Sequence, residues 1–284
     1  MKRLLFSAIL FIIGFGVFLY PTVSNYINHR VYETEITNYE NKVRNSKEED
    51  ISKKSKTMEA YNESLKGLSF PTEDPFSNSD KKNTTLVNMI KEDDVLGTVS
   101  IPKINEEFPI YLGATEKHLS MGVGQIGGTS FPIGGPDTHT VLAGHRGYHG
   151  AKMFRHLDQL ENGDKFYIRI LGKELTYEVT GREVIYPSQV EKIAIVKGKD
   201  KATLLTCEPY TSSKYRLLVY GERIKEEIPQ NNTKARTESI MRLKQSQAHD
   251  FVQKISFMIM GLLVIFIGLL GVSKEEKIRF WCKK

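Results

Sequence analysis

A chain of 284 residues, 40% hydrophobic and 26% charged, has room for one ordinary globular domain with additions at its ends. Its net charge of +6 comes from basic residues that alternate with acidic ones, with no nucleic-acid-binding motif among them, so nucleic acid is excluded as a partner.

At the N-terminus, Leu4 to Tyr20 is an uncharged apolar run of about 17 residues behind Lys2 and Arg3, at the short end of what spans a bilayer. Tyr20-Pro21-Thr22-Val23 makes a poor cleavage site, so the run reads as an uncleaved anchor rather than a removed signal. The cytoplasmic tip and anchor are assigned to 1–21. From 22 to 70 the chain is polar, with Tyr, Val, Ile and Leu at loose helical spacing and a break near Asn45 to Asp50. Pro75 fixes its own φ and biases Asp74 toward extended geometry, which makes 71–80 a turn or loop.

The texture then turns to strands through 81–226. Leu96 to Ile101, Phe108 to Leu112, Thr140 to Ala143, Lys165 to Leu171, Leu175 to Val179, Ala202 to Thr206 and Tyr215 to Ile224 are short and rich in β-branched or aromatic residues. Short helices are expected at Glu116 to Met121 and Ala151 to Leu160. This pattern predicts a mainly β sandwich or barrel. Residues 227–254 read as a polar tether. At 255–272 a second apolar run of about 18 residues follows, and 273–284 is a basic tail containing Lys274, Lys277, Arg279, Lys283 and Lys284. Basic flanks at both outer ends place both termini in the cytoplasm and the segment between the two spans outside.

That topology separates Cys207 from Cys282. A lone exported cysteine calls for a chemical explanation, because exported cysteines normally pair. Cys207 ends the run Thr203-Leu204-Leu205-Thr206-Cys207, Arg216 follows nine positions later, and Ala143-Gly144-His145-Arg146-Gly147 lies upstream. A thiol, an imidazole and a guanidinium suffice for acyl transfer through a thioester. Cys207 alone reads equally as a small apolar residue closing a strand. Arg216 shifts that reading, since strands ending in Cys and beginning near Arg can lie side by side, and a nearby cation favours thiolate. His145 sits among glycines that permit a tight turn and close approach of a substrate backbone. His149 at i+4 from His145 does not make a zinc pair, because the glycine-broken segment is not helical and no further ligands join it. No metal or cofactor is expected. His118, His139 and His156 are expected at the surface.

These residues resemble the sortase signature Thr-Leu-x-Thr-Cys. The resemblance runs from about Leu96 to Ile224 and is closest to the class C, pilus-building sortases, which share two membrane spans and an Asp-Pro-aromatic lid, matched here by Asp74, Pro75 and Phe76. It implies a closed eight-stranded sortase-type β-barrel with short helices, an N-terminal helical region and two transmembrane helices. It further implies Cys207, His145 and Arg216 as catalytic residues, with Thr206, Leu205 and Ala143 as substrate-binding positions. Its partners would be the membrane and pilin subunits carrying an LPXTG-type signal and an acceptor lysine. The site would be a Gram-positive-type cell surface. The lid would pair Asp74 with Arg216 while Phe76 covers the thiol. One departure is Glu208, where the family commonly has a small hydroxyl residue. An inward carboxylate would disfavour the thiolate, whereas an outward one would pair with Lys214. Other readings are a cell-wall-anchoring sortase that uses a peptidoglycan amine, a thiol peptidase with water as acceptor, and a non-catalytic pilus scaffold.

Overall fold

The computed structural model describes residues 2–66, 94–148, 151–210 and 212–224, together with helical residues at 252–253, 256–257 and 260–261. The chain divides into two units, 1–226 and 227–284. The expected lid residues Asp74, Pro75 and Phe76 lie outside the described residues, as do most of the second apolar run and the whole basic tail.

Two helices open the first unit. Helix α1 spans Lys2–Asn45 and runs through Pro21, so the expected boundary at 21 falls inside one continuous helix. None of its apolar N-terminal window is buried by protein, and among the described residues it is the one helix long and apolar enough to cross a membrane. The break comes where the sequence places it. Ser46 Oγ donates back to the Lys42 carbonyl at 2.7 Å. Lys47 is extended, and α2 (Glu48–Ser64) starts on Glu48, Glu49 and Asp50, which suit the positive end of the helix dipole.

The helices dock through a few buried side chains. Tyr32, Ile36 and Tyr39 of α1 are buried, and His29 Nε2 lies 3.2 Å from the buried carboxylate of Glu106. Asn62 of α2 is 4% exposed and acts as a surrogate strand. Its Oδ1 accepts from the Phe131 amide at 2.7 Å, and its Nδ2 donates to the Phe131 carbonyl at 3.2 Å.

The strands are β1 (Val95–Ile101), β2 (Glu106–Leu112), β3 (Val123–Gln125), β4 (Thr138–Ala143), β5 (Lys165–Ile170), β6 (Lys173–Ile185), β7 (Asp200–Glu208) and β8 (Tyr215–Ile224). They form a closed barrel in the order β1-β2-β3-β4-β7-β8-β6-β5, sealed by antiparallel pairing of β5 with β1. Closure leaves no edge strand. Seven strands match expected segments; β3 is the addition, a three-residue strand flanked by Gly122 and carrying Gly124, too short to show alternation. A helix, α3, spans Glu116–Met121 as expected, capped by Thr115, whose side chain accepts from the His118 amide. The second expected helix is a 3₁₀ segment, Met153–Gln159.

The core has two layers. Inside the barrel lie Val99, Ile101, Phe108, Ile110, Leu142, Phe166, Ile168, Leu204, Leu217 and Val219, plugged by Phe154 and Leu157 of the 3₁₀ segment. Each such side chain contributes about 1.5–3 kcal/mol when fully buried. Outside, Val141, Ala143, Ile185, Leu205 and Leu218 pack under Leu119 of α3 and Ile193. Strand β4 is therefore buried on both faces.

Burial overturns the surface placement of two histidines. His118 is 1% exposed; its Nδ1 lies 3.0 Å from the Gly113 carbonyl and its ring stacks on Tyr111. His139 is fully buried in β4. Its Nδ1 donates to the Ala194 carbonyl at 2.7 Å, and Nε2 lies 2.7 Å from Thr203 Oγ1. His156, in the 3₁₀ segment, is half-buried.

Burial is the main cause that lowers the His139 pKa from 6.5 to about 4, with Lys201 adding to it and the Ala194 bond opposing. Between those values the unfolded chain takes up a proton that the fold refuses. Stability is accordingly expected to fall as pH drops from 6.5 toward 4, by on the order of 3 kcal/mol across the window. Urea unfolding at pH 7.0 and 4.5 tests this, and His139→Gln should flatten the difference. An equal difference in the variant would assign the acid sensitivity to other groups.

Candidate active site

Strand β7 delivers Cys207 to the end of the barrel. Its alternation turns Ala202 and Leu204 into the barrel interior and Leu205 onto the outer layer, and Cys207 shares the outer parity. Cys207 carries a reduced thiol and is half-exposed. Arg216 is its direct antiparallel partner on β8. Opposed residues of such a pair have Cα atoms about 4.5–5.5 Å apart, which puts thiol and guanidinium on one face. The adjacency expected of a Cys-ending strand and an Arg-starting strand is thus present in the register.

Arg216 is 4% exposed. Its Nη1 donates to the carbonyls of Ser213 at 2.7 Å and Tyr215 at 3.1 Å, bonds that fix the plane of the guanidinium.

His145 arrives from the other side. Strands β4 and β7 run parallel with Ala143 opposite Leu205, and the Gly144 amide donates to the Leu205 carbonyl at 3.0 Å just beyond the strand end. Thr206 Oγ1 donates to the Gly144 carbonyl at 2.7 Å, tying the residue before Cys207 to the residue before His145. The imidazole stacks on Tyr148 at 4.8 Å between centroids, and its Nε2 lies 3.6 Å from Glu116 Oε1 at the start of α3. Gly144 cannot carry a side chain here, since a Cβ would meet the Phe154 ring at 2.9 Å.

The three positions expected to bind substrate come together, but as interior packing. Ala143 and Thr206 are fully buried and Leu205 is 2% exposed. Ala143 and Leu205 form the apolar floor beneath the thiol face, and the Thr206 hydroxyl is engaged with Gly144.

Glu208 pairs with Arg146 rather than Lys214. Arg146 also meets Asp158 at 3.2 Å, and Lys214 instead lies over the Tyr215 ring. Arg155 beside them donates to Tyr210 Oη at 2.8 Å and packs over its ring. Arg146, Glu116 and Tyr148 are site residues that sequence reasoning misses. The one available signal is charge: Arg146 follows the histidine and Glu208 follows the cysteine.

This arrangement can perform nucleophilic acyl transfer. A thiol and a positioned imidazole supply attack and proton transfer, and a fixed cation one strand away stabilises a developing oxyanion.

A family model described as "Sortase domain" matches residues 99–224. Sortase D of Bacillus subtilis (strain 168) is 30% identical over 131 residues, covering 45% of this chain and 63% of that protein, so the chain spans less than two thirds of that relative's length. Among solved structures, sortase C1 of GBS Pilus Island 1 superposes with a TM-score of 0.63 at 37% identity, covering 70% of this chain and 94% of that one. Sortase C of Streptococcus pneumoniae, described with respect to its pilin substrate specificity, superposes with a TM-score of 0.63 at 36% identity, covering 68% and 98%.

Proposed function

Because this chain belongs to the sortase family of cysteine transpeptidases and its solved neighbours are class C pilus sortases, we propose that it is a membrane-anchored transpeptidase that polymerises pilin subunits. The observation that carries the reading is the placement of Cys207 opposite Arg216, beside the β4 exit that bears His145.

In this mechanism Cys207 Sγ attacks the threonine carbonyl of an LPXTG-type sorting signal. Arg216 stabilises the oxyanion. The C–N bond to glycine breaks as His145 protonates the departing amine, leaving a thioester. A pilin lysine amine then attacks the thioester carbonyl and gives its proton to His145. The C–S bond breaks and an isopeptide bond remains. Leu205 and Ala143 support this site as its apolar floor, and Thr206 as the strut between its two halves.

The anchor assignment is supported by the exposed apolar stretch of α1. A second span at 255–272, a polar tether at 227–254 and a cytoplasmic tail at 273–284 rest on the sequence alone. They place the barrel outside a Gram-positive-type membrane. The lid of Asp74, Pro75 and Phe76 has the same footing: a carboxylate for Arg216 and a ring over the thiol, which would shield a reactive cysteine from oxidants.

Detergent-solubilised full-length protein, incubated with a Leu-Pro-x-Thr-Gly peptide and a lysine-containing peptide, is expected to show an acyl adduct by intact mass spectrometry, followed by an isopeptide-linked product. Hydrolysed peptide alone would make it a thiol peptidase. Transfer to a peptidoglycan cross-bridge amine in preference to lysine would make it a cell-wall-anchoring enzyme. Absence of any adduct from folded protein would leave the scaffold reading.

A further inference from the structure

The two residues that directly follow the proposed base and nucleophile are joined to each other. Arg146 follows His145 and pairs with Glu208, which follows Cys207. The Arg146 side chain is only 10% exposed and the Glu208 side chain 25%, so solvent does little to weaken the contact. Asp158 of the 3₁₀ segment holds the other side of the same guanidinium at 3.2 Å. One fork of donors thus bridges three pieces of chain: the β4 exit, the end of β7 and the 3₁₀ plug. The two side chains lie near strand ends, Cys207 still paired with Arg216 and His145 beyond the end of β4. Strand β4 ends at Ala143, two residues short of His145, and β7 ends at Glu208. Past Ala143 the backbone is held by the Gly144 bonds to Leu205 and Thr206 and by the Phe154 amide donating to the His145 carbonyl, and a side-chain link across the two turns is a further constraint on the imidazole.

We propose that the Arg146–Glu208 ion pair is that constraint, a positioning brace that sets His145 against Cys207. Neither residue touches substrate in this role. The brace also accounts for a carboxylate directly after the nucleophile: its charge is engaged by Arg146. The inference rests on the Cys207–His145 chemistry proposed above.

Other charged groups bear on the thiol. Arg216 and Tyr215 lie at the start of β8 with Lys214 just before it, Glu116 of α3 faces the imidazole, and Arg155 and Asp158 belong to the 3₁₀ segment. None of them changes in the decisive variant. Simple loss of the Glu208 charge would favour thiolate and lower the Cys207 pKa. Loss of a brace would weaken its coupling to the imidazole and raise it. The two effects have opposite signs in Glu208→Gln.

The experiment is iodoacetamide alkylation of Cys207 between pH 5 and 9 in the full chain carrying Cys282→Ser, which leaves one thiol. Glu208→Gln and Arg146→Gln are each expected to move the midpoint up by about one unit and slow alkylation at pH 6 by about 10-fold. The double variant should be no slower than either single one, because both remove the same contact. An unshifted or lowered midpoint in folded Glu208→Gln overturns the brace, as does an additive double variant. If Arg146→Gln does not fold, the near-isosteric Glu208→Gln decides alone. His145→Ala separates the two hypotheses. If it leaves the profile unmoved, the proposed Cys–His pairing fails. If it moves the profile while Glu208→Gln does not, only the brace fails.

Discussion

Cys207→Ala is expected to abolish acyl-adduct formation with a Leu-Pro-x-Thr-Gly peptide, and Arg216→Ala to slow it by about 10²–10³-fold while the thiol remains alkylatable. In the proposed mechanism the cysteine supplies the atom that becomes bonded, so nothing in the fold replaces it. The arginine acts differently. Its guanidinium is nearly buried and clamped by the carbonyls of Ser213 and Tyr215, directly across the ladder from Cys207. A cation held before reaction costs no reorganisation when charge develops on the carbonyl oxygen. Arg216→Lys should recover little, because a single ammonium nitrogen on a shorter side chain cannot replace a planar fork that bonds the carbonyls through Nη1 and has a second terminal nitrogen for the substrate. Time-resolved intact mass spectrometry measures each rate. Wild-type acylation by Arg216→Ala would remove the oxyanion role from this residue and reduce it to a structural one.

The second large effect concerns the seam that closes the barrel. Gly97→Ala is expected to destabilise the protein by about 2–4 kcal/mol, through forced backbone displacement rather than lost contacts. A Cβ at Gly97 would overlap the Arg169 carbonyl oxygen, an atom of the partner strand's backbone. Gly97 pairs with Ile170 across the β1–β5 closure and adjoins the register irregularity between Val95 and Gly97 in β1–β2 pairing. Strand β5 is held in place by ladder pairing on both sides, with Arg169 opposite Thr98 of β1 and Glu174 of β6, so making room disturbs both ladders. Gly181→Ala is the control: it lies in β6 with nothing within 4 Å of an added Cβ, and it should change stability by no more than about 0.5 kcal/mol. Urea unfolding monitored by circular dichroism compares the two. Equal midpoints would show that the seam adjusts freely.

Several elements are legible in the amino-acid sequence because their signals are local. The alternation along Lys165–Ile170 becomes a strand whose residues are half-buried and buried in turn, and its expected limits agree with β5 to within a residue. The break between α1 and α2 follows from a serine and an acidic first turn. Helix α3 has the bounds its sequence pattern predicts. Strand β3 escapes sequence reasoning because three residues with a glycine at the centre show no period. The surface expectation for His118 and His139 fails for a related reason. A histidine in a short strand or helix looks solvated until a carbonyl from elsewhere, Gly113 or Ala194, supplies its hydrogen bond.

The site divides along the same line. By itself the sequence determined the reactive kit, a thiol after a β-rich run with an imidazole and a guanidinium at hand, because nucleophilicity and basicity belong to side-chain types. It also determined the strand-rich middle and the long apolar N-terminal run, because periodicity and hydropathy are carried by neighbouring residues. Only the tertiary structure decided that Thr206 braces Gly144 from 62 positions away, that Ala143 and Leu205 are buried in one apolar cluster, and that Glu208 chooses Arg146 over the nearby Lys214. Those choices depend on parallel pairing of β4 with β7, two strands far apart in the chain. A side chain's partner is set by which strands closure makes adjacent, and no window of sequence contains that information.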